Sequence, residues 1–81
     1  MDLNERIDSV VNKETFINFM EALIDDYKNK PEEWENLSID MFLDAINRWA
    51  EDFNFRDPDI NFERPDWKTI AILFYMGKIY E

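Results

Sequence analysis

Cysteine and histidine are both missing from the 81 residues of this sequence. Their absence excludes disulfides, zinc sites of the Cys/His type, serine–histidine triads, cysteine–histidine dyads and the Glu-x-x-His di-iron motif. Glycine occurs only at Gly77, so there is no glycine-rich phosphate loop. Neighbouring acidic residues occur in pairs, but these pairs lie on predicted polar faces or in loops. Both carboxyl groups of a pair are ionised there, so one cannot serve as a general acid while the other serves as a base. We therefore expect no enzymatic activity and no cofactor.

Long apolar runs are also absent. The least polar run, residues 69–77, is far shorter than the roughly 20 residues that a membrane-spanning helix needs. The first residues contain no apolar stretch of the kind found in signal peptides. We expect a cytoplasmic protein.

Basic residues are few. Nine Lys and Arg stand against nineteen Asp and Glu, which gives a formal net charge of −10. Such a chain is repelled by nucleic-acid phosphates and anionic lipids, so we expect neither nucleic-acid nor membrane binding and favour a basic protein as partner. A simpler alternative is that the acidic surface only keeps the protein soluble.

The apolar residues recur at helical spacing, which predicts an all-α fold. Without disulfides, the core of this short chain must come from its side chains, among them seven Phe, three Trp and three Tyr. The sequence predicts one compact domain of three to four helices. The predicted elements are helices at residues 13–29, 39–53 and 66–80, a possible short N-terminal helix at 2–11, and an acidic loop at 54–65.

Capping residues support the three longer helices. Asn12, Ser38 and Asp66 each stand where a polar side chain can accept a hydrogen bond from the first turn of a helix. In the second helix, Asp44 can pair with Arg48 one turn later. The residues that we expect on its inward side are Ile39, Phe42, Leu43, Ile46, Trp49, Ala50 and Phe53.

The last predicted helix is apolar nearly all round, so it is either central to the domain or shared with a second subunit. One face carries Trp67, Ile70, Ala71 and Phe74, and the other carries Ile72, Tyr75, Met76 and Ile79. The second face is the candidate surface for self-association. Gly77 lies in the helix interior at a cost of about 1 kcal/mol relative to alanine, which predicts close approach of another backbone.

Trp34 stands among three glutamates in the loop that begins at Pro31. It could be an exposed anchor for a partner, since tryptophan is enriched at binding hot spots. It could instead pack on the helices, which we favour because burying the indole stabilises a small core. The candidate protein-interaction residues are Glu32, Glu33, Trp34, Glu35, Asp40, Asp44 and Glu51.

One spacing is similar to the start of an EF-hand loop. Asp57, Asp59 and Asn61 alternate before Glu63. The position that requires glycine is Phe62, and the twelfth position, normally glutamate, is Lys68, so we expect a polar turn and no metal site. Phe55 and Phe62 are predicted to anchor this loop to the core.

Residues 13–81 resemble a family of small uncharacterised bacterial proteins, a domain of unknown function. The shared motifs are N-x-P-x-x-W-E-N, F-L-x-A followed by Trp, and a final W-K-x-x-A…K-I-Y-E. The matching positions here are Pro31, Trp34, Glu35, Asn36, Phe42, Leu43, Ala45, Trp49, Trp67, Lys68, Ala71, Lys78, Ile79, Tyr80 and Glu81. Relatives often carry small residues where this chain has Tyr75, Met76 and Gly77. The resemblance implies an all-helical domain.

Proteins of this kind are similar in size and acidity to bacterial immunity proteins, which neutralise basic toxins. The leading hypothesis is therefore a non-enzymatic acidic interaction module, of the immunity or antitoxin type, that binds a basic partner protein. The alternative is a structural protein that forms a homodimer through the second apolar face of its last helix.

Overall fold

Within the described residues, four α-helices and one short 3-10 helix make up the fold. The computed structural model describes residues 3–53, 60 and 62–80. The elements are α1 (Leu3–Ile7), α2 (Lys13–Asn29), the 3-10 helix (Pro31–Glu33), α3 (Ile39–Asp52) and α4 (Trp67–Ile79). None of the described residues is in a strand, so the predicted all-α class is confirmed. The N-terminal helix is shorter than predicted. Of the predicted acidic loop, residues 54–59 and 61, with Phe55, lie outside the described residues.

The three predicted N-caps are all present. The Asn12 side chain accepts a hydrogen bond from the Thr15 backbone N–H at 2.9 Å, and the Thr15 hydroxyl oxygen accepts one from the Asn12 N–H. Ser38 caps α3 and Asp66 caps α4 in the same way. Each cap satisfies a donor that the first turn of a helix cannot satisfy itself, so the start of each helix is fixed locally.

Helix α4 is the centre of the domain, one of the two roles predicted for it. It packs against α1, α2 and α3. Ala71 and Thr69 on α4 are fully buried, and Leu3, Ile7 and Val10 from the N-terminal segment are buried in the same core. The N-terminal segment therefore lies against α4 and covers part of its second apolar face.

Helices α2 and α3 pack on α4 but not on each other. The prediction that all seven apolar residues of α3 face inward is therefore wrong: Ala45 is fully buried, whereas Leu43 is exposed and Ile39 is 72% exposed. The apolar stripe of α3 is wider than its contact with α4, because none of the described helices covers Ile39 or Leu43. Trp67, on the first apolar face predicted for this helix, is 37% exposed in the first turn of α4, with its ring 5.4 Å from that of Phe16.

Gly77 is explained by a side chain, and the predicted neighbouring backbone is wrong. A Cβ at this position would lie 2.5 Å from Cε1 of Phe42 on α3. No larger side chain fits without displacing the ring. The missing side chain therefore lets the Phe42 ring lie directly on the backbone of α4, which offsets the poor helix propensity of glycine.

An aromatic cluster packs at the carboxyl end of α3. The ring of Phe62 lies 5.9 Å from that of Trp49 and 5.6 Å from that of Phe53. Tilted contacts at these separations are typical of favourable aromatic packing. The prediction that Phe62 anchors its loop to the core is confirmed.

Candidate functional site

Trp34 is a core residue. Only 9% of its surface is exposed. Its ring meets Tyr27 edge-on at 5.0 Å and stacks on Phe42 at 6.1 Å, while the indole N–H donates to Asp26 Oδ2 at 2.8 Å. The preferred interpretation, in which this side chain packs on the helices, is confirmed. Trp34 is therefore not an exposed anchor.

The acceptor of that indole N–H also forms a buried ion pair. Lys78 Nζ lies 2.7 Å from Asp26 Oδ2, and the two side chains are only 13% and 16% exposed. Burial raises the pKa of Asp26, but the hydrogen bonds from Lys78 and Trp34, together with the charges of Lys78 and Lys30, outweigh it and bring the pKa below its ordinary value. A charged Asp26 thus ties α2 to the end of α4.

The two residues after Trp34 cap the carboxyl end of α4. Glu35 N–H donates to the carbonyl of Lys78 at 3.1 Å. The side-chain amide of Asn36 donates to the carbonyls of Gly77 at 3.0 Å and Tyr80 at 2.9 Å. The last carbonyls of a helix have no N–H partner within the helix, so they need donors from elsewhere when they are buried. Helix capping across more than forty residues of sequence therefore explains Asn36 of the Trp-Glu-Asn motif, whereas Glu35 contributes its backbone N–H to the cap.

The predicted acidic residues fall into two groups. Glu32, Glu33 and Glu35 are exposed around the 3-10 helix, which packs on α2. Asp40, Asp44 and Glu51 are exposed on one side of α3. The predicted pair is present, with Arg48 Nε 2.8 Å from Asp44 Oδ2. Glu33 lines a polar depression together with residues of α1, α2 and α4.

The predicted self-association residues are largely covered within the chain. Ile72 is buried in the core, Tyr75 and Met76 are half-buried, and Ile79 is 36% exposed. Ile72, Tyr75 and Met76 line a pocket with Ile7 of α1 and with Ile60. The second apolar face of α4 is thus shared with the N-terminal segment.

An open groove lies between α2 and α3, above α4. We call it the α2/α3 groove. Its volume is about 440 Å³, and most of its lining is apolar. The lining residues are Met20, Leu23, Ile24, Tyr27, Lys28, Trp34, Asn36, Leu37, Ser38, Ile39, Phe42 and Phe74. Sequence reasoning missed this groove because periodicity shows which residues of a helix are apolar, not whether a neighbouring helix covers them.

The carboxylates of α3 lie away from the groove. In helical geometry, Asp40 and Asp44 lie about 100° and 140° around α3 from Ile39, on the opposite side from Phe42. The Ser38 hydroxyl donates to Asp40 at 2.6 Å and lowers the pKa of that carboxyl, so it is charged at neutral pH. The charged residue among those that line the groove is Lys28.

Among the residues that the structure describes, no group of three or more acidic side chains is close enough to hold a metal ion. Asp57, Asp59 and Asn61 of the EF-hand-like spacing lie outside the described residues, so the expectation of a polar turn stays a prediction. Within the same described part of the chain, every helix is too short or too polar to cross a bilayer.

Comparison with known proteins gives one match. A sequence profile described as a family of unknown function, DUF7660, matches residues 12–81. Searches of curated proteins and of solved structures found no significant match. The profile covers most of the chain and includes the Trp34–Asn36 segment and the α4 carboxyl end that it caps. The chain therefore belongs to the DUF7660 family of unknown function.

Proposed function

We propose that this chain is a cytoplasmic, non-enzymatic interaction module that binds a basic partner protein. The supporting observation is the exposed acidic side of α3, where Asp40, Asp44 and Glu51 accompany exposed aliphatic side chains. With a net charge of −10, the surface attracts a positively charged partner over long range and raises its association rate. Nucleic acid and anionic membranes are repelled by the same charge.

An immunity or antitoxin protein is the more specific form of this proposal. The basic partner would then be a toxin whose positively charged active site the acidic surface covers. This form makes one additional demand, namely that the complex inhibits the activity of the partner. The homodimer alternative is less well supported, because Ile72 is buried within its own chain and Tyr75 and Met76 are half-buried there.

The test is capture of binding partners from the lysate of the native host, followed by mass spectrometry. The wild-type chain is compared with Asp40→Asn/Asp44→Asn/Glu51→Gln. A variant with the same charge change, Glu5→Gln/Glu14→Gln/Asp25→Asn, is the control for net charge. We expect a basic protein that is lost from the α3 variant and also released when salt is raised from about 50 to about 500 mM, which shortens the range of electrostatic attraction.

Partners that are neutral or acidic and insensitive to salt would contradict the proposal. Equal loss of the basic protein from the α3 variant and the control would show that overall charge acts without a defined face. For the immunity form, the readout is inhibition of the purified partner at equimolar ratio, and a partner whose activity is unchanged in the complex rules that form out.

A further inference from the structure

We propose that the N-terminal segment, residues 3–10, is a cover that keeps two copies of this chain from associating through the second apolar face of α4. When the segment is displaced, the same face of a second copy takes its place. This inference goes beyond the proposed function, because it concerns a different surface and a different partner. Either one can fail without the other.

The segment lies along α4 from one end to the other. Leu3 lines a depression together with Lys78 of the last turn of α4. Asp8 Oδ1 lies 3.3 Å from Nζ of Lys68 in the first turn, and Ile7 lines a pocket with Ile72 between them. The segment therefore runs antiparallel to α4. Its buried side chains are Leu3, Ile7 and Val10.

Two observations set the segment apart from the rest of the domain. Helix α1 has five residues, far fewer than the roughly 12–15 that an isolated helix needs, so it is helical only while it is packed. The family profile begins at residue 12, the N-cap of α2, so the matched part of the chain starts after the segment. The segment is thus an addition that covers a face of the shared domain.

The face beneath the segment forms one ridge on α4. Lys68, Ile72, Tyr75 and Ile79 lie at positions i, i+4, i+7 and i+11, so they share one side of the helix over about 16 Å. The cover is incomplete: Ile72 is buried, but Tyr75 is half-buried and Ile79 is 36% exposed. Displacement of the segment exposes a continuous apolar ridge, and burial of such a ridge against another apolar surface is favourable.

Charge favours a second copy as the occupant. Of the four described helices, α4 is the one without an acidic residue, in a chain of net charge −10. A two-fold contact through α4 therefore joins two acidic chains without placing helix carboxylates opposite each other, whereas the other helices would bring like charges together. A basic protein is disfavoured at this face, because Lys68 and Lys78 lie on the same helix.

The experiment measures self-association of the full chain by sedimentation velocity, from about 10 to about 500 µM. Ile7→Ser removes a buried anchor from the segment and leaves α4 unchanged. Asp8→Lys places a like charge opposite Lys68 at a surface position. Glu5→Lys is its matched control, because it makes the same charge change at another exposed position of the segment. Far-ultraviolet circular dichroism shows whether the longer helices of each variant remain folded.

We expect Ile7→Ser to dimerise with a dissociation constant at least about tenfold below that of the wild-type chain. Asp8→Lys should tighten association by about two- to fivefold, because an exposed ion pair contributes little, and Glu5→Lys should not differ from the wild type by more than its charge change in Asp8→Lys explains. In an Ile7→Ser background, Ile79→Glu should abolish the dimer by placing two carboxylates in the contact, whereas Ile39→Ser in the α2/α3 groove should leave it intact.

A folded Ile7→Ser chain that stays monomeric over the whole range would overturn the inference. A wild-type dimer as tight as that of Ile7→Ser would also overturn it, because the segment would then not oppose association. If Ile39→Ser dissociates the dimer and Ile79→Glu does not, the interface is the groove and the inference is wrong. If Ile7→Ser does not fold, Asp8→Lys decides, and equal association of Asp8→Lys and Glu5→Lys would contradict the cover.

Discussion

Asn36→Ala removes two of the hydrogen bonds that cap the carboxyl end of α4. The Asn36 amide donates to the carbonyls of Gly77 and Tyr80, and Asn36 itself is buried. Each such bond contributes about 1 kcal/mol net, and an acceptor left unpaired in a buried place costs about 1–3 kcal/mol. We expect the free energy of unfolding to fall by about 2–4 kcal/mol. A domain of this size has roughly 4–12 kcal/mol in total, so the loss is a large fraction.

Asn36→Asp tests the same explanation more strictly, because the aspartate side chain has nearly the same shape as that of asparagine. At neutral pH a carboxylate cannot donate, and its charge lies at the negative end of the α4 dipole. We expect Asn36→Asp to be less stable than Asn36→Ala by about 1–2 kcal/mol at neutral pH, by the magnitudes of unfavourable charge–dipole and charge–carbonyl contacts. Below the pKa of the new carboxyl the side chain can donate one hydrogen bond, so this additional loss should shrink.

The assay is equilibrium unfolding in urea, followed by far-ultraviolet circular dichroism. The slope of the free energy of unfolding against urea concentration should be unchanged, so that the midpoint of the transition reports stability. Asn18→Ala, at an exposed position of α2, is the control and should change stability by no more than about 0.5 kcal/mol. A loss below about 0.5 kcal/mol for Asn36→Ala, or equal stabilities of the two Asn36 variants at neutral pH, would refute the capping argument.

Three further predictions concern the same region. Gly77→Ala should lower the free energy of unfolding by about 1–3 kcal/mol despite the better helix propensity of alanine, because its Cβ meets the Phe42 ring; Phe42→Leu in the same chain should recover part of the loss in urea unfolding, and additive losses would contradict the explanation. Asp26→Asn should cost about 1–3 kcal/mol at neutral pH, where the paired carboxylate is charged. Since the fold lowers the pKa of Asp26 below 3.8, this difference should be full above that value and decline as pH falls through the folded-state pKa; a difference that does not decline in acid melts would exclude the ion pair as its cause. Trp34→Phe keeps an aromatic ring but removes the indole donor to Asp26, so we expect a loss of about 1.5–3 kcal/mol in urea unfolding. The loss should be smaller in an Asp26→Ala background, where the acceptor is gone, and an equal loss there would contradict the coupling of the two side chains.

The helices could be predicted from the sequence because their signals are local. Asn12, Ser38 and Asp66 each begin a helix by a hydrogen bond to a residue three positions later, and Pro31 stands just past the end of α2. The periodic apolar residues give the same boundaries independently. Agreement between capping and periodicity is why the three longer helices were predicted to within one residue.

The packing could not be predicted in the same way, because it depends on contacts between distant residues. Asn36 bonds to Gly77 and Tyr80, and the Phe42 ring fills the space beside Gly77. No spacing rule relates these positions. For Ile39, periodicity assigned the inward side, whereas the arrangement of three helices around α4 leaves that side open.

The segment Trp34–Asn36, which holds the carboxyl end of α4, shares residues with the α2/α3 groove. This overlap determines how binding experiments on this protein must be interpreted. Trp34 and Asn36 line the groove and also hold the carboxyl end of α4. A variant at either position therefore alters the stability of α4 and the end of the groove together, so lost binding in Asn36→Ala would not identify a contact with the partner. Ile39 is exposed, so replacing its side chain should change the stability of the folded chain little. Binding that falls in Ile39→Ser at unchanged stability would therefore report the groove itself.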